Sequence, residues 1–226
     1  VTSIADGIQA VRERIGHAAE ASGRSREEVK LIVVSKAKTA EAIREAHEAG
    51  QRAFGESYAQ EIEVKARLLG DLPDIEWHFI GHLQSNKAKT VAPLAHMVHT
   101  VDTPSLAREL ARRVVKANRR ALQVVIEVNV AHEPQKHGVS PGDLEELMQA
   151  VQAEPALDLR GLMTVPPADD LSMTRRVFET LATLRSLHGG VLRLPELSMG
   201  MSHDLEVAVA CGATLVRVGT AVFGPR

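Results

Sequence analysis

The residue in this sequence best placed for covalent chemistry is Lys36, which closes the run KLIVVSK. Side chains alternate along an extended strand, so Ile32, Val34 and Lys36 share one face. Apolar walls desolvate an amine and favour its neutral form, the form that condenses with an aldehyde to a Schiff base. A lysine that snorkels to a rim would look the same, and spacing alone leaves both readings open. Two later stretches bear on the choice. SMGMSHD (Ser198 to Asp204) and RVGTAVFG (Arg217 to Gly224) gather small residues and hydroxyls that let backbone N–H groups approach an anion. Ordinary tight turns use the same residues. Two such loops opposite a lysine make phosphate the reading to carry forward. Arg217 shares a strand face with Leu215 and Gly219, beside the second loop. A buried guanidinium needs a partner there, either an anionic ligand or an inward carboxylate such as Glu127.

The other reactive residue types point to less. His78 and His82 are four apart, which on a helix would suggest metal ligands, but EWHFIGH reads as strand and loop. Structural or packing roles are expected, with no metal. Lys87 and Lys89 in GHLQSNKAK have no aromatic platform for stacking bases. Arg112-Arg113 and Arg119-Arg120 read as solvated helix faces, and a net charge of −2 gives no general pull toward nucleic acid or anionic lipid. The lone Cys211 excludes an intrachain disulfide and suits a reducing compartment, and it reads as a small packed hydrophobe. No run approaches the roughly 18 apolar residues that span a bilayer. The N-terminal segment mixes charge with apolar residues, unlike a signal peptide. A cytoplasmic protein is expected, with no membrane partner.

The elements that must position these residues alternate regularly. A leading helix is predicted from about Thr2 to Ser22, with Ile4, Ile8, Val11 and Ile15 on one stripe. Strands are predicted at Lys30 to Lys36, Arg52 to Gly55, Glu76 to His82 and His96 to Asp102. Four more fall at Leu122 to Asn129, Leu157 to Thr164, Pro195 to Gly200 and Thr214 to Thr220. Helical patterns lie between them, with Thr39, Thr103, Pro104, Ser140 and Pro141 as starts and Gly50 and Gly212 as stops. At 44% hydrophobic and 25% charged residues the chain can bury a substantial core, and no linker divides residues 1–226. Eight strand–helix units predict one (β/α)8 TIM barrel, an α/β domain with an extra N-terminal helix. An open doubly wound sheet is the alternative, disfavoured by the absence of a Gly-rich loop after the first strand. Barrel enzymes carry their sites at the strands' carboxyl ends, where Lys36, Ser57, His82, Asn129, Met163, Ser198, Met199 and Arg217 fall.

Laid in order, the motifs resemble a known family. They are VVSKAK around Lys36, FGESYAQE from Phe54, EWHFIGHLQSNKAK from Glu76, VDTPSLARELARR from Val101, GLMTVPP from Gly161, ELSMGMSHD from Glu196 and LVRVGTAVFG from Leu215. The chain resembles the pyridoxal phosphate homeostasis proteins (also called proline synthase co-transcribed homologues). That resemblance implies a barrel like the N-terminal domain of alanine racemase, with pyridoxal phosphate on Lys36. It places the phosphate around Ser202, Gly219 and Thr220, and Arg217 near the pyridine nitrogen. VNVAHEPQKHG from Val128 resembles the family's Lys-x-Gly loop through Lys136 and Gly138. One departure stands out: Ser57 occupies a turn position where the family usually has Asn, and serine keeps a hydroxyl but loses the reach of the amide.

The resemblance implies a protein that buffers or delivers the cofactor inside the cell, to apo-enzymes that use it, rather than an enzyme; a monomer is the default, since no strand or helix shows an oversized apolar patch. The alternative is an amino-acid racemase. Racemisation needs an acid/base group on each face of the cofactor adduct, and Lys36 supplies one. Alanine racemases bring a tyrosine from an additional β domain, whereas this sequence ends shortly after its eighth strand and its one tyrosine, Tyr58, follows the second.

Overall fold

The computed structural model describes residues 3–131, 133, 135–167 and 170–224. Helix α1 (Ile4–Ala21) comes first, followed by strand β1 (Lys30–Val34), α2 (Ala40–Glu48), β2 (Ala53–Glu56), α3 (Ala59–Leu68) and β3 (Glu76–Phe79). Next come α4 (Ala88–Val91), β4 (Met97–Val101), α5 (Pro104–Lys116), β5 (Leu122–Glu127), α6 (Leu144–Gln152) and β6 (Leu157–Met163). The chain continues through α7 (Leu171–Leu187), α8 (Gly190–Arg193), β7 (Glu196–Ser198), α9 (Leu205–Ala210), β8 (Leu215–Val218) and α10 (Thr220–Phe223). Every neighbouring pair is parallel, and β8 pairs back onto β1 to close the barrel in the order β1 to β8. The alternation read from sequence is therefore a (β/α)8 barrel, and the open-sheet alternative falls.

The strands bury both faces, as parallel strands between helices must. Ile32, Ala53, Met97, Val125, Met163 and Leu215 pack together inside the barrel. The larger core, which includes Val33, Phe54, Val98 and Val216, fills the space between barrel and helices. Helix starts follow their local chemistry. Thr39 and Thr103 accept from Ala42 N and Leu106 N to cap α2 and α5, and Pro104 sits in the first turn of α5, where a missing N–H costs nothing. Helix α6 begins later than Ser140 suggests, with Asp143 at its cap. Ser3 and Asp6 form a capping box on α1, and the Thr2 start expected from sequence lies outside the described residues. Ile8, Val11 and Ile15 of α1 are buried as expected, and the helix packs on α9 and α10 beside the end of β8.

Several strands stop short of the lengths read from sequence. β1 ends at Val34, two residues before Lys36. Ser35 N still donates to Gly55 O at 3.0 Å, but Lys38 N then closes a turn onto Ser35 O at 2.9 Å, with Ala37 at φ 59°. β3, β5, β7 and β8 likewise end at Phe79, Glu127, Ser198 and Val218. His82, Asn129, Met199, Gly219 and Thr220 therefore follow strands instead of ending them. Chemistry-bearing residues at strand ends read as strand in sequence because the alternation persists for a step or two after the ladder stops.

Candidate functional site

A cavity of about 780 Å³ opens at the carboxyl ends of the strands. Lys36 and Lys38 enter it from the β1 turn, Arg217 from β8, Gly219 and Thr220 from the start of α10, and Met201 and Ser202 from the β7 loop. Val165 to Pro167, Asp170, Thr174 and Lys136 also line it. The two loops singled out as anion binders thus line one space with the lysine, the β8 loop directly beside it. At Gly219 a side chain would meet Val34 O at 3.2 Å, so glycine keeps the backbone of this loop close against β1.

The turn carrying Lys36 is held from behind. Between β1, β2 and α3, Lys65 Nζ donates to Ser35 O at 2.8 Å, Glu56 Oε1 at 2.8 Å and Glu61 Oε2 at 2.7 Å. Ser35 Oγ donates to Glu56 Oε1 at 2.6 Å, and Ala37 N donates to Glu61 Oε2 at 2.9 Å. Peptides on both sides of Lys36 are therefore tied to one buried ion cluster. Burial pushes the Glu56 carboxyl up, against the pull of Lys65 and Ser35. Burial also opposes ionisation of Glu61, but hydrogen bonds from Lys65 and Ala37 N hold its carboxyl below the ordinary range. The sequence reading missed this cluster. Its signal was a lysine in the apolar stripe Ala59, Ile62, Lys65 of α3, continued by Leu69 just past its end.

Arg217 is buried, and burial pushes its guanidinium down to about 10 against the opposing charges of Glu127 and Asp204. Among the described residues it makes no ion pair with Glu127. Instead Nη1 donates to Ser198 Oγ at 2.6 Å and Nη2 to Thr164 O at 3.1 Å. Ser198 Oγ lies 2.8 Å from His99 Nδ1, and His99 Nε2 lies 2.9 Å from His78 Nδ1, so a polar chain crosses the barrel interior.

The remaining expected residues disperse. Met163 belongs to the interior layer, and Met199 is buried in the core outside it. Ser57 lies outside the lining of the large cavity: its carbonyl would sit 2.2 Å from any side chain at Gly81, so the β2 and β3 loops touch backbone to backbone. Asn129 ties its own loop, donating to Glu133 O at 2.8 Å and Lys136 O at 3.3 Å and accepting from Glu133 N at 3.1 Å. It lines a smaller cavity of about 220 Å³ that shares Lys136 and Val165 with the large one. His78 and His82, paired by spacing, go to different places: His78 to the interior and His82 to the surface beside Asp102 and His137. The His82 and His137 rings stack 3.6 Å apart and within 8° of parallel. An ion shared by two imidazoles must lie in the plane of both, so in this arrangement the trio is a stack over a carboxylate. Cys211 packs against the core at the end of α9, and burial pushes its thiol up.

Glu127 lines the smaller cavity and, among the described residues, has no side-chain hydrogen-bond partner; burial, helped by the charge of Asp102 and opposed by Arg217, pushes its carboxyl up to about 7. The folded state then binds a proton that the unfolded chain releases between pH about 4.5 and about 7. Stability should fall across that window as pH rises, by up to about 3 kcal/mol. Denaturation of cofactor-free protein at successive pH values should show this fall, and Glu127→Gln should flatten it.

A barrel with a lysine after β1 and a polar loop at β7 and β8 defines a class, and a family model described as "Alanine racemase, N-terminal domain" matches residues 8–226. An alanine racemase of Corynebacterium glutamicum, 19% identical, shares the fold with a TM-score of 0.67 over 96% of this chain and 61% of its own. A protein of Pseudomonas aeruginosa named pyridoxal phosphate homeostasis protein is 46% identical over 100% of this chain and 97% of its own. PipY of Synechococcus elongatus, whose structure is described as having PLP bound, is 37% identical with a TM-score of 0.84, covering 98% of this chain and all of its own. The chain belongs to the pyridoxal phosphate homeostasis protein family. No helix among the described residues is long and apolar enough to cross a membrane.

Proposed function

We propose that this chain binds pyridoxal phosphate, held as a Schiff base by Lys36, and serves intracellular homeostasis of the cofactor by buffering it or passing it to apo-enzymes. One observation carries the reading: Lys36, Arg217 and both candidate phosphate loops line a single cavity. The donor set suits the ligand. Amines and a guanidinium face a cavity whose β8 loop runs close against β1 at Gly219, a cradle a side chain would crowd. Lys36 Nζ would supply the amine that condenses with the aldehyde, with loss of water. Ser202, Gly219 and Thr220 bind the phosphate, and Arg217 directs an N–H at the pyridine nitrogen. Bound pyridoxal phosphate supplies an electron sink that is strongest when its ring nitrogen is protonated. A guanidinium can only donate, so Arg217 keeps that nitrogen unprotonated.

The chain serves as a carrier, not an enzyme, and works as a monomer in the cytoplasm. Tyr58 supports the carrier reading: it is 54% exposed on the β2 loop and does not line the cavity, so it is no second acid/base group beside Lys36. Relatives of matching length are named for homeostasis rather than catalysis.

Borohydride treatment of the cofactor-loaded protein should fix the cofactor on the peptide containing Lys36. Lys36→Ala should abolish the adduct, and mapping to Lys38 would overturn the assignment. Racemisation of alanine, serine or proline by the native protein should stay near background; robust turnover would restore the racemase reading.

A further inference from the structure

Neutral imidazoles carry one donor and one acceptor each, so a chain of them has a direction. His78 and His99 are both buried, and burial pushes His78 down to about 4 and His99 well below the ordinary range. Each is therefore neutral. In one direction His99 Nδ1–H donates to Ser198, His78 Nδ1–H donates to His99 Nε2, and His78 Nε2 is bare. In the other, the Ser198 hydroxyl donates to His99 Nδ1, His99 Nε2–H donates to His78 Nδ1, and His78 Nε2 carries a proton. The far end decides between them. Among the described residues His78 Nε2 has no hydrogen-bond partner, and Glu76 Oε2 faces it at 3.7 Å. A carboxylate offers only lone pairs, so a bare nitrogen would oppose lone pair to lone pair, whereas an N–H points its dipole at negative charge. Glu76 is held ionised: its carboxyl is pushed down to about 2 by His78 and, against burial, by the Lys30 ammonium paired with it at the rim. His96, whose ring centroid is 5.7 Å from that of His78, is also pushed toward neutrality by burial and does not reverse this field.

We propose that Glu76, at the amino-end rim, sets the direction of the chain His78–His99–Ser198, so that the Ser198 hydroxyl donates away from Arg217 and leaves its lone pairs for the guanidinium. His99, His78 and Glu76 are positioning residues for Arg217. They fix the rotation of its planar fork from the opposite end of the barrel. That this matters to the cofactor rests on the proposed placement of Arg217 at the ring nitrogen; the direction of the chain does not.

The test has two separable readouts. Histidine side-chain ¹⁵N spectra of cofactor-free protein should show both His78 and His99 protonated at Nε2 and bare at Nδ1. Glu76→Leu should populate the reverse pair of tautomers, while Glu76→Gln, which still offers an acceptor, should keep the native pair. Nδ1 protonation in the wild type, or an unchanged pattern in Glu76→Leu, overturns the proposal. On loading with pyridoxal phosphate, His99→Phe should release the cofactor about tenfold faster and shift its visible band. His99→Gln, whose amide can accept from Ser198 and donate to His78, should restore both. Equal behaviour of the two variants overturns the positioning role. Failure of the wild type to take up the cofactor at all would remove the functional reading and leave the tautomer result standing.

Discussion

Replacing Lys65 with methionine should cost about 3–5 kcal/mol, because it strands two carboxylates and a peptide carbonyl around a buried site. Lys65 is 6% exposed and Glu56 fully buried, so water cannot take over the bond lost at Glu56. Chemical denaturation of cofactor-free protein measures this directly. Glu56→Gln combined with Lys65→Met should lose less than the two single losses added, since removing both charges leaves neither unpaired. The same variant should loosen cofactor binding, because Ser35 O and Ala37 N, the anchors around Lys36, belong to the cluster. A Lys65→Met protein within about 1 kcal/mol of wild type would show that the turn holds itself.

Pyridoxine phosphate should bind at least about 100-fold more tightly than pyridoxine, since each charge-assisted hydrogen bond to an anion contributes about 1.5–3 kcal/mol. Both are alcohols that cannot condense with Lys36, so the comparison isolates the phosphate from the covalent bond. Competition against bound cofactor, followed by absorbance, gives both affinities. Equal affinities would remove the roles assigned to Ser202, Gly219 and Thr220.

The parts of this structure legible in sequence were those with a period or a local partner. Eight alternations of apolar runs with amphipathic helices announced the barrel, and the placement of Lys36, Arg217 and the β7 and β8 loops followed from strand parity. Strand ends were less legible, because Ser35 and Lys36 keep the alternation while Ala37 turns the backbone. The polar interior was not legible at all. His99 is the second histidine of HMVHTVD, with nothing in its neighbours to mark it, and only closure of the barrel brings Ser198, 99 positions later, within 2.8 Å of it. Ser57 and Met199 were expected at the cavity because they adjoin strand ends, yet a step of one residue turns a side chain from the interior to the helix side. Met199 is buried on that far side.

The lining of the large cavity also sets a rate. Lys36, Lys38 and Arg217 stand around it, with Lys136 paired to Glu133, against Asp170 and Asp204, in a chain whose net charge is −2. A concave, partly apolar space with a surplus of positive charge focuses field lines toward its mouth and raises the local concentration of small anions. A doubly charged phosphate monoester is therefore drawn in before any bond to it forms, while neutral aldehydes of similar size arrive only by diffusion. Capture should slow as ionic strength rises, because the Debye length shrinks to about 8 Å at physiological salt. Release, which begins from contacts already made, should respond far less.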